Sequence, residues 1–254
     1  MKNFCLKILA VIVFALCATT AFAYEFPDET LHYTITYKWG LIHKDAGKAT
    51  LSLRNRGADL DMKLTARTLP WADKIFMVRD TLTSRMAKNG LKVKTYRKTS
   101  HEGKRYALDV IDFNHAGSAV KATTQRVRRN KDGAVTKNRI SLTGGSPAFD
   151  MLSVFYYLRT LDFNGMSKGK IHKVAIFSGK KVETMTIKVV GKETLTMRDK
   201  TKREAWKLTF SFSTPGKKIS SDNIEAWIST KAPHIPLYLV GKLHIGQVRV
   251  YLDK

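Results

Sequence analysis

The residues best placed for chemistry lie between Asp150 and Arg159. Asp150, Ser153 and Tyr157 are spaced i, i+3 and i+7, which puts them on one face if the segment is helical. Such a trio could contact a ligand. Equally, Asp150 could be the negative charge favoured at a helix start, with Tyr157 a buried ring whose hydroxyl bonds the surrounding structure. Arg159 lies half a turn round from Asp150, so the two cannot pair within one helix. A guanidinium on an apolar helix needs a partner. That predicts a strand carboxylate, backbone carbonyls, or an anion received in a cavity. Trp71, in PWADKIF, is a further ligand-binding candidate. The seven histidines show neither H-x-x-x-H nor H-x-H spacing, so no metal site is read from them. No G-x-S-x-G elbow is present, and no cofactor motif. Gly144-Gly145 could cradle an anion or merely turn the chain. The sequence thus points to no catalytic residue, and a non-enzymatic protein is expected.

These residues belong to Ser146–Phe163, SPAFDMLSVFYYLRTLDF, which predicts one helix capped by Ser146 with Pro147 at its first position. It is apolar almost all round, hence buried. The rest of the chain alternates at period two. Leu31 to Trp39, Ala49 to Leu53 and Leu60 to Ala66 read as an antiparallel meander. Further strands are expected around Val78–Met86, Leu91–Thr99, Arg105–Phe113, Ser118–Val127, Lys170–Ser178, Val182–Val190, Trp206–Ser213, Ile224–Ser229, Leu237–Leu243 and Gln247–Leu252. Asn89-Gly90, Gly179-Lys180, Pro215-Gly216 and Ile245-Gly246 supply turns. Pro70–Phe76 reads as a helical turn with Trp71 and Phe76 inward. The expected fold is mostly β: a large antiparallel curved sheet, half-barrel or barrel, of about eleven or twelve strands, with one buried α-helix on the concave side.

Residues 1–23 read as a secretory signal, with Lys2 and Lys7, an apolar run and the A-x-A site Ala21-Phe22-Ala23; residues 24–254 then form a single β-rich domain. Both cysteines, Cys5 and Cys17, fall in that leader, so a mature chain has no disulfide. No second long apolar segment is present, so no transmembrane helix is expected in the mature chain. The formal charge is +24, and loss of Lys2 and Lys7 lowers it by two. Arg85–Arg139 holds fifteen Lys and Arg against four acids. Such a surface attracts polyanions such as lipopolysaccharide or an acidic glycan. Arg126, Arg128, Arg129 and Lys131, at an expected exposed hairpin tip, are the candidate contacts. They lack the interleaved aromatics of a single-strand platform, so nucleic acid is not an expected partner.

Two stretches carry a resemblance. Phe149–Lys170, FDMLSVFYYLRTLDFNGMSKGK, resembles the pattern D-x-x-S-x-x-Y-Y-x-R-x-L-D followed by a Gly-containing loop. Trp227–Leu252 resembles a W-x-S-x-D-x-x-x-x-P-V strand followed by a closing hairpin, departing from it at Lys231 and Leu237. The opening strands fit as well, with Gly47 as the shared small residue. Together these resemble an uncharacterised family of exported Gram-negative proteins, domain of unknown function 3108. The resemblance implies a periplasmic or surface location and a β-rich fold, and no reaction. The functional expectation is a binding protein that holds a hydrophobic or amphipathic ligand, such as a lipid, in the groove of a curved sheet. The alternative is a binding or assembly factor for an anionic envelope polymer, through residues 85–139.

Overall fold

The computed structural model describes residues 26–163, 165–166, 168–214, 220–242 and 246–253. The leader, the Pro215-Gly216 turn and Ile245 lie outside them. The alternating segments join into one fifteen-stranded sheet. Strands β1 (Glu29–Trp39), β2 (Ile42–Arg56), β3 (Asp59–Thr68), β4 (Val78–Ala87), β5 (Lys92–Glu102), β6 (Arg105–Ala116), β7 (Ala119–Arg129) and β8 (Val135–Gly145) form one meander. Strands β9 (Ala148–Asp150), β10 (Ile171–Phe177), β11 (Val182–Thr196), β12 (Lys202–Ser213), β13 (Ser220–Ser229), β14 (Pro236–Lys242) and β15 (Gln247–Leu252) follow, and β15 pairs with β1. The order therefore runs from β8 through β1 and β15 to β9. Ladders are antiparallel except β9 with β10, which is parallel.

The period-two pattern explains the curl. One face of each strand carries the core, for example Leu51 and Leu53 on β2, Leu60 and Met62 on β3, and Leu208 and Phe210 on β12. Facing those residues toward one another closes the sheet to a barrel-like shape. Its two ends meet by packing rather than by a ladder. A Cβ on Gly144 of β8 would sit 3.0 Å from the Phe177 ring of β10, and one on Gly179 would sit 3.1 Å from Cγ of Asp109 on β6. Gly179 also has φ +88°, which favours glycine. Past a bulge at Val189/Gly191, β11 and β12 leave the barrel wall as an arm across its outside. There Met197 packs on Trp227, Leu237 and Val240, the Trp227 indole N–H donates to Glu193 at 2.8 Å, and Arg198 pairs with Asp45.

The structure differs from the sequence reading in three places. The sheet has fifteen strands. One unexpected strand, β8, is largely exposed and carries only a short apolar stripe, Ile140 and Leu142; the other, β9, is only three residues long. The expected helix over Ser146–Phe163 shrinks to six residues, Ser153–Leu158 (α2), while Ala148–Asp150 is extended along β10. Ser146 and Pro147 therefore neither cap nor begin it. An apolar run with no polar face suits a buried strand as well as a buried helix. The short helix α1 (Pro70–Phe76) half-buries Trp71 but leaves Ile75 and Phe76 exposed. A helix of about two turns lying on a sheet covers only one side.

The segment β9–α2 fills the concave side, where Phe149, Leu152, Tyr156 and Leu158 are fully buried. Two polar residues fix it. Asp150 is fully buried, and its Oδ1 accepts the Leu152 and Ser153 amides at 2.7 and 2.9 Å, starting α2 in the manner of an N-cap. Its Oδ2 accepts the Ser84 hydroxyl of β4 at 2.6 Å, across the barrel. Arg159, with a side chain 1% exposed, pairs with Glu29 of β1 and donates to the Pro233 carbonyl at 2.9 Å. Its guanidinium lies over the Phe26 and Tyr156 rings.

Burial pushes the Asp150 carboxyl pKa up, partly opposed by hydrogen bonds from Ser84 and the Ser153 and Leu152 amides. With the folded value above the unfolded one, the unfolded chain releases this proton first as pH rises. Stability therefore declines between the two values. Asp150→Asn keeps the acceptor and removes the titration, so its Tm should vary less than the parent's from about pH 4 to pH 8; Asp150→Ala should cost about 3 kcal/mol. In urea unfolding, Glu29→Ala should cost about 3–5 kcal/mol by stranding a buried guanidinium, while Glu29→Leu/Arg159→Met, which removes both charges, should cost clearly less.

Candidate functional site

The residues singled out between Asp150 and Arg159 do not converge on an open site. Asp150 and Arg159 are spent on the two ties just described. Tyr157 is half-buried and stacks on Phe149 with centroids 4.5 Å apart, and burial raises its pKa. Trp71 lies elsewhere, its indole N–H donating to the Asp45 carbonyl at 2.7 Å and Lys44 standing 4.5 Å from its ring centroid. Ser229, another resemblance residue, accepts the Ile235 amide at 2.9 Å and donates to the Lys231 carbonyl. A Cβ on Gly47 would meet the Arg67 carbonyl oxygen at 2.7 Å, beside the bulge at Ile35/Thr36. These residues that carry the family resemblance hold the fold together. Among the described residues, no three His, Cys, Asp or Glu group as metal ligands.

The basic candidates divide by face. Arg126 and Arg128 share the inward side of β7 with Val120, Ala122 and Thr124. Both reach the buried Asp109 carboxylate, Arg126 at 2.9 Å and Arg128 at 2.7 Å to each oxygen. Two guanidiniums thus share one carboxylate inside the wall, and Arg128 also donates to the Leu108 and Val127 carbonyls. Arg129 is exposed, 5.8 Å from the Tyr106 ring centroid, and Lys131 is exposed in the β7–β8 turn.

The outer face of β2–β8 holds a more regular array, because opposite residues of an antiparallel ladder point the same way. One row across successive strands is Thr50, Thr65, Thr81 and Thr99. On one side of it runs Lys48, Arg67, Arg79, His101, Tyr106 and Arg129. On the other runs Ser52, Lys63, Thr83 and Arg97, continuing through Val110 and Gln125 to Arg139. Between the short Thr50, Thr65 and Thr81 and the longer Lys48, Arg67 and Arg79 lies a trough of about 650 Å³, bounded at β1 by His32 and Asp253. Lys48 pairs with Asp253 at 3.1 Å, and Arg79 with Asp73 at 2.6 Å. The Arg79 and Thr68 hydrogen bonds lower the Asp73 pKa to about 2. Lys63, Arg67, Arg97, Lys121, Lys137 and Arg139 are exposed or nearly so and form no ion pair among the described residues. The expectation confined to residues 85–139 missed the β2–β3 part. Its signal was legible as polar residues repeating every second position in K-A-T-L-S-L-R, D-M-K-L-T-A-R and R-D-T-L-T-S-R.

On the concave side the remaining space is a slot of about 70 Å³ beside α2. It is wholly apolar, between Met151, Phe155, Met185, Phe210, Phe212 and Leu239.

No curated protein matches the chain. Among solved structures, it is similar to the crystal structure of a β-barrel-like protein of the domain of unknown function DUF1849 from Brucella abortus. The two share 13% identity with a TM-score of 0.62, over 91% of this chain and 98% of that one, a likeness of fold alone. The family model described as protein of unknown function (DUF3108) matches residues 32–253, and with the motifs at Phe149–Lys170 and Trp227–Leu252 now placed in its β-rich fold, the chain belongs to that family.

Proposed function

We propose that this is a non-enzymatic binding protein of the bacterial envelope whose ligand is an anionic polymer, held on the outer face of β2–β8. The observation that carries this reading is the set of exposed cations on that face without carboxylate partners among the described residues: Lys63, Arg67, Arg97, Lys121, Lys137 and Arg139. Like charges kept a few strands apart repel one another, a cost that a polyanion removes by neutralising them. Strands lie about 4.8 Å apart, so Lys63, Arg97 and Arg139 span roughly five strand spacings, the footprint of an extended polymer rather than of one small anion. The leader-like N-terminus accords with an exported location.

A second reading keeps the concave side: the wholly apolar slot beside α2 would take part of an amphipathic ligand. At about 70 Å³ it admits the end of one acyl chain, since a liquid water occupies about 30 Å³.

Salt separates the two. Affinity for dextran sulfate, measured by titration calorimetry, should fall steeply and linearly on a log–log plot as salt rises from about 50 to 200 mM. Lys63→Glu/Arg97→Glu should weaken it at least about tenfold. No binding of dextran sulfate at low salt rejects the polyanion reading. Lipid retained through salt washing and seen by native mass spectrometry would favour the slot.

A further inference from the structure

We infer that the trough over Thr50, Thr65 and Thr81, with the row continued past it by Thr99, is a seat for a linear acidic polysaccharide running across the strands, an inference that rests on the polyanion reading above. Cations alone would serve any anion. The floor narrows the choice. The row's four hydroxyls face outward in register on neighbouring strands, one per strand. Each hydroxyl both donates and accepts, so it can meet a sugar hydroxyl in either role, whereas toward the acceptor-only oxygens of a polyphosphate only its donor is used. Strand spacing, about 4.8 Å, is close to the length of one pyranose residue in an extended chain, so successive sugars meet successive threonines.

The flanks then place the acidic groups. Arg67 stands one rung from Thr65 on one side, between the paired cations Lys48 and Arg79. Because Asp253 and Asp73 already answer those neighbours, Arg67 is the guanidinium open to a bidentate contact with a carboxylate. Lys63 and Arg97 occupy the opposite flank, two strands apart on one rung. The cation rows lie four residues apart along each strand, roughly 13 Å, which leaves width for a sugar ring with charged substituents to either side. His32, whose Nδ1 is 3.3 Å from the Thr50 hydroxyl, closes the trough at β1.

The test uses the mature chain with fluorescein-labelled oligogalacturonate and, separately, sodium polyphosphate, by fluorescence anisotropy and competition. Thr65→Val/Thr81→Val keeps shape and β-propensity while removing two hydroxyls. It should weaken oligogalacturonate about tenfold or more and polyphosphate clearly less. Arg67→Gln should weaken oligogalacturonate about tenfold, while Lys188→Gln, an exposed cation on β11 away from the β2–β8 face, should change it less than about twofold. If the valine variant binds oligogalacturonate as well as the parent, or if only polyphosphate binds, the trough inference fails and the polyanion reading stands. If neither polymer binds at low salt, both fail.

Discussion

The fold depends on a charged residue having a partner where water cannot reach it. A fifteen-stranded sheet curled on itself needs something inside it, and here that is β9–α2, a segment too short to be stable alone. Its apolar side chains would pack in several orientations. Asp150 and Arg159 would not: stranding either charge costs several kcal/mol, so only the arrangement that brings Asp150 to Ser84 and Arg159 to Glu29 is available. One tie reaches β4 and the other β1, which sets both the depth and the rotation of the insert.

The same principle sorts the remaining charges. Where a cation faces inward it is answered, as Arg126 and Arg128 are by Asp109. On the outer face the acids are fewer than the bases, and the excess falls on β3, β5, β7 and β8. A sheet keeps its side chains in rows, so charge left over from composition becomes charge in register. That is a geometric property of the ladder rather than of any one residue.

Much of this was legible in the chain and some was not. Period-two alternation located the strands because a strand with one buried face must alternate. Parity could also have placed Arg126 and Arg128 inside, since they share it with Val120, Ala122 and Thr124; a count of basic residues over 85–139 ignores parity. The stretch from Ala148 to Leu158 misled because a segment buried on all sides carries no period. In β8 only Ile140 and Leu142 alternate with Arg139, Ser141 and Thr143, a signal too short to stand out, since an edge strand facing solvent needs little apolar stripe. For Arg159 a strand carboxylate was among the expected partners, but that β1 supplies it as Glu29, and that β4 brings Ser84 to Asp150, is a matter of tertiary fold.

The parallel strand β9 has a topological effect out of proportion to its length. A ring made only of antiparallel neighbours must contain an even number of strands, and without β9 the other fourteen could have met that rule by zipping β8 to β10. By taking the free border of β10, β9 denies it to β8, so the circumference is never locked by the relation between strand number and stagger that fixes a true barrel. β8 thereby keeps a row of amides with no ladder to protect them, and the wall can breathe along that line while the opposite side, at β1 and β15, stays shut.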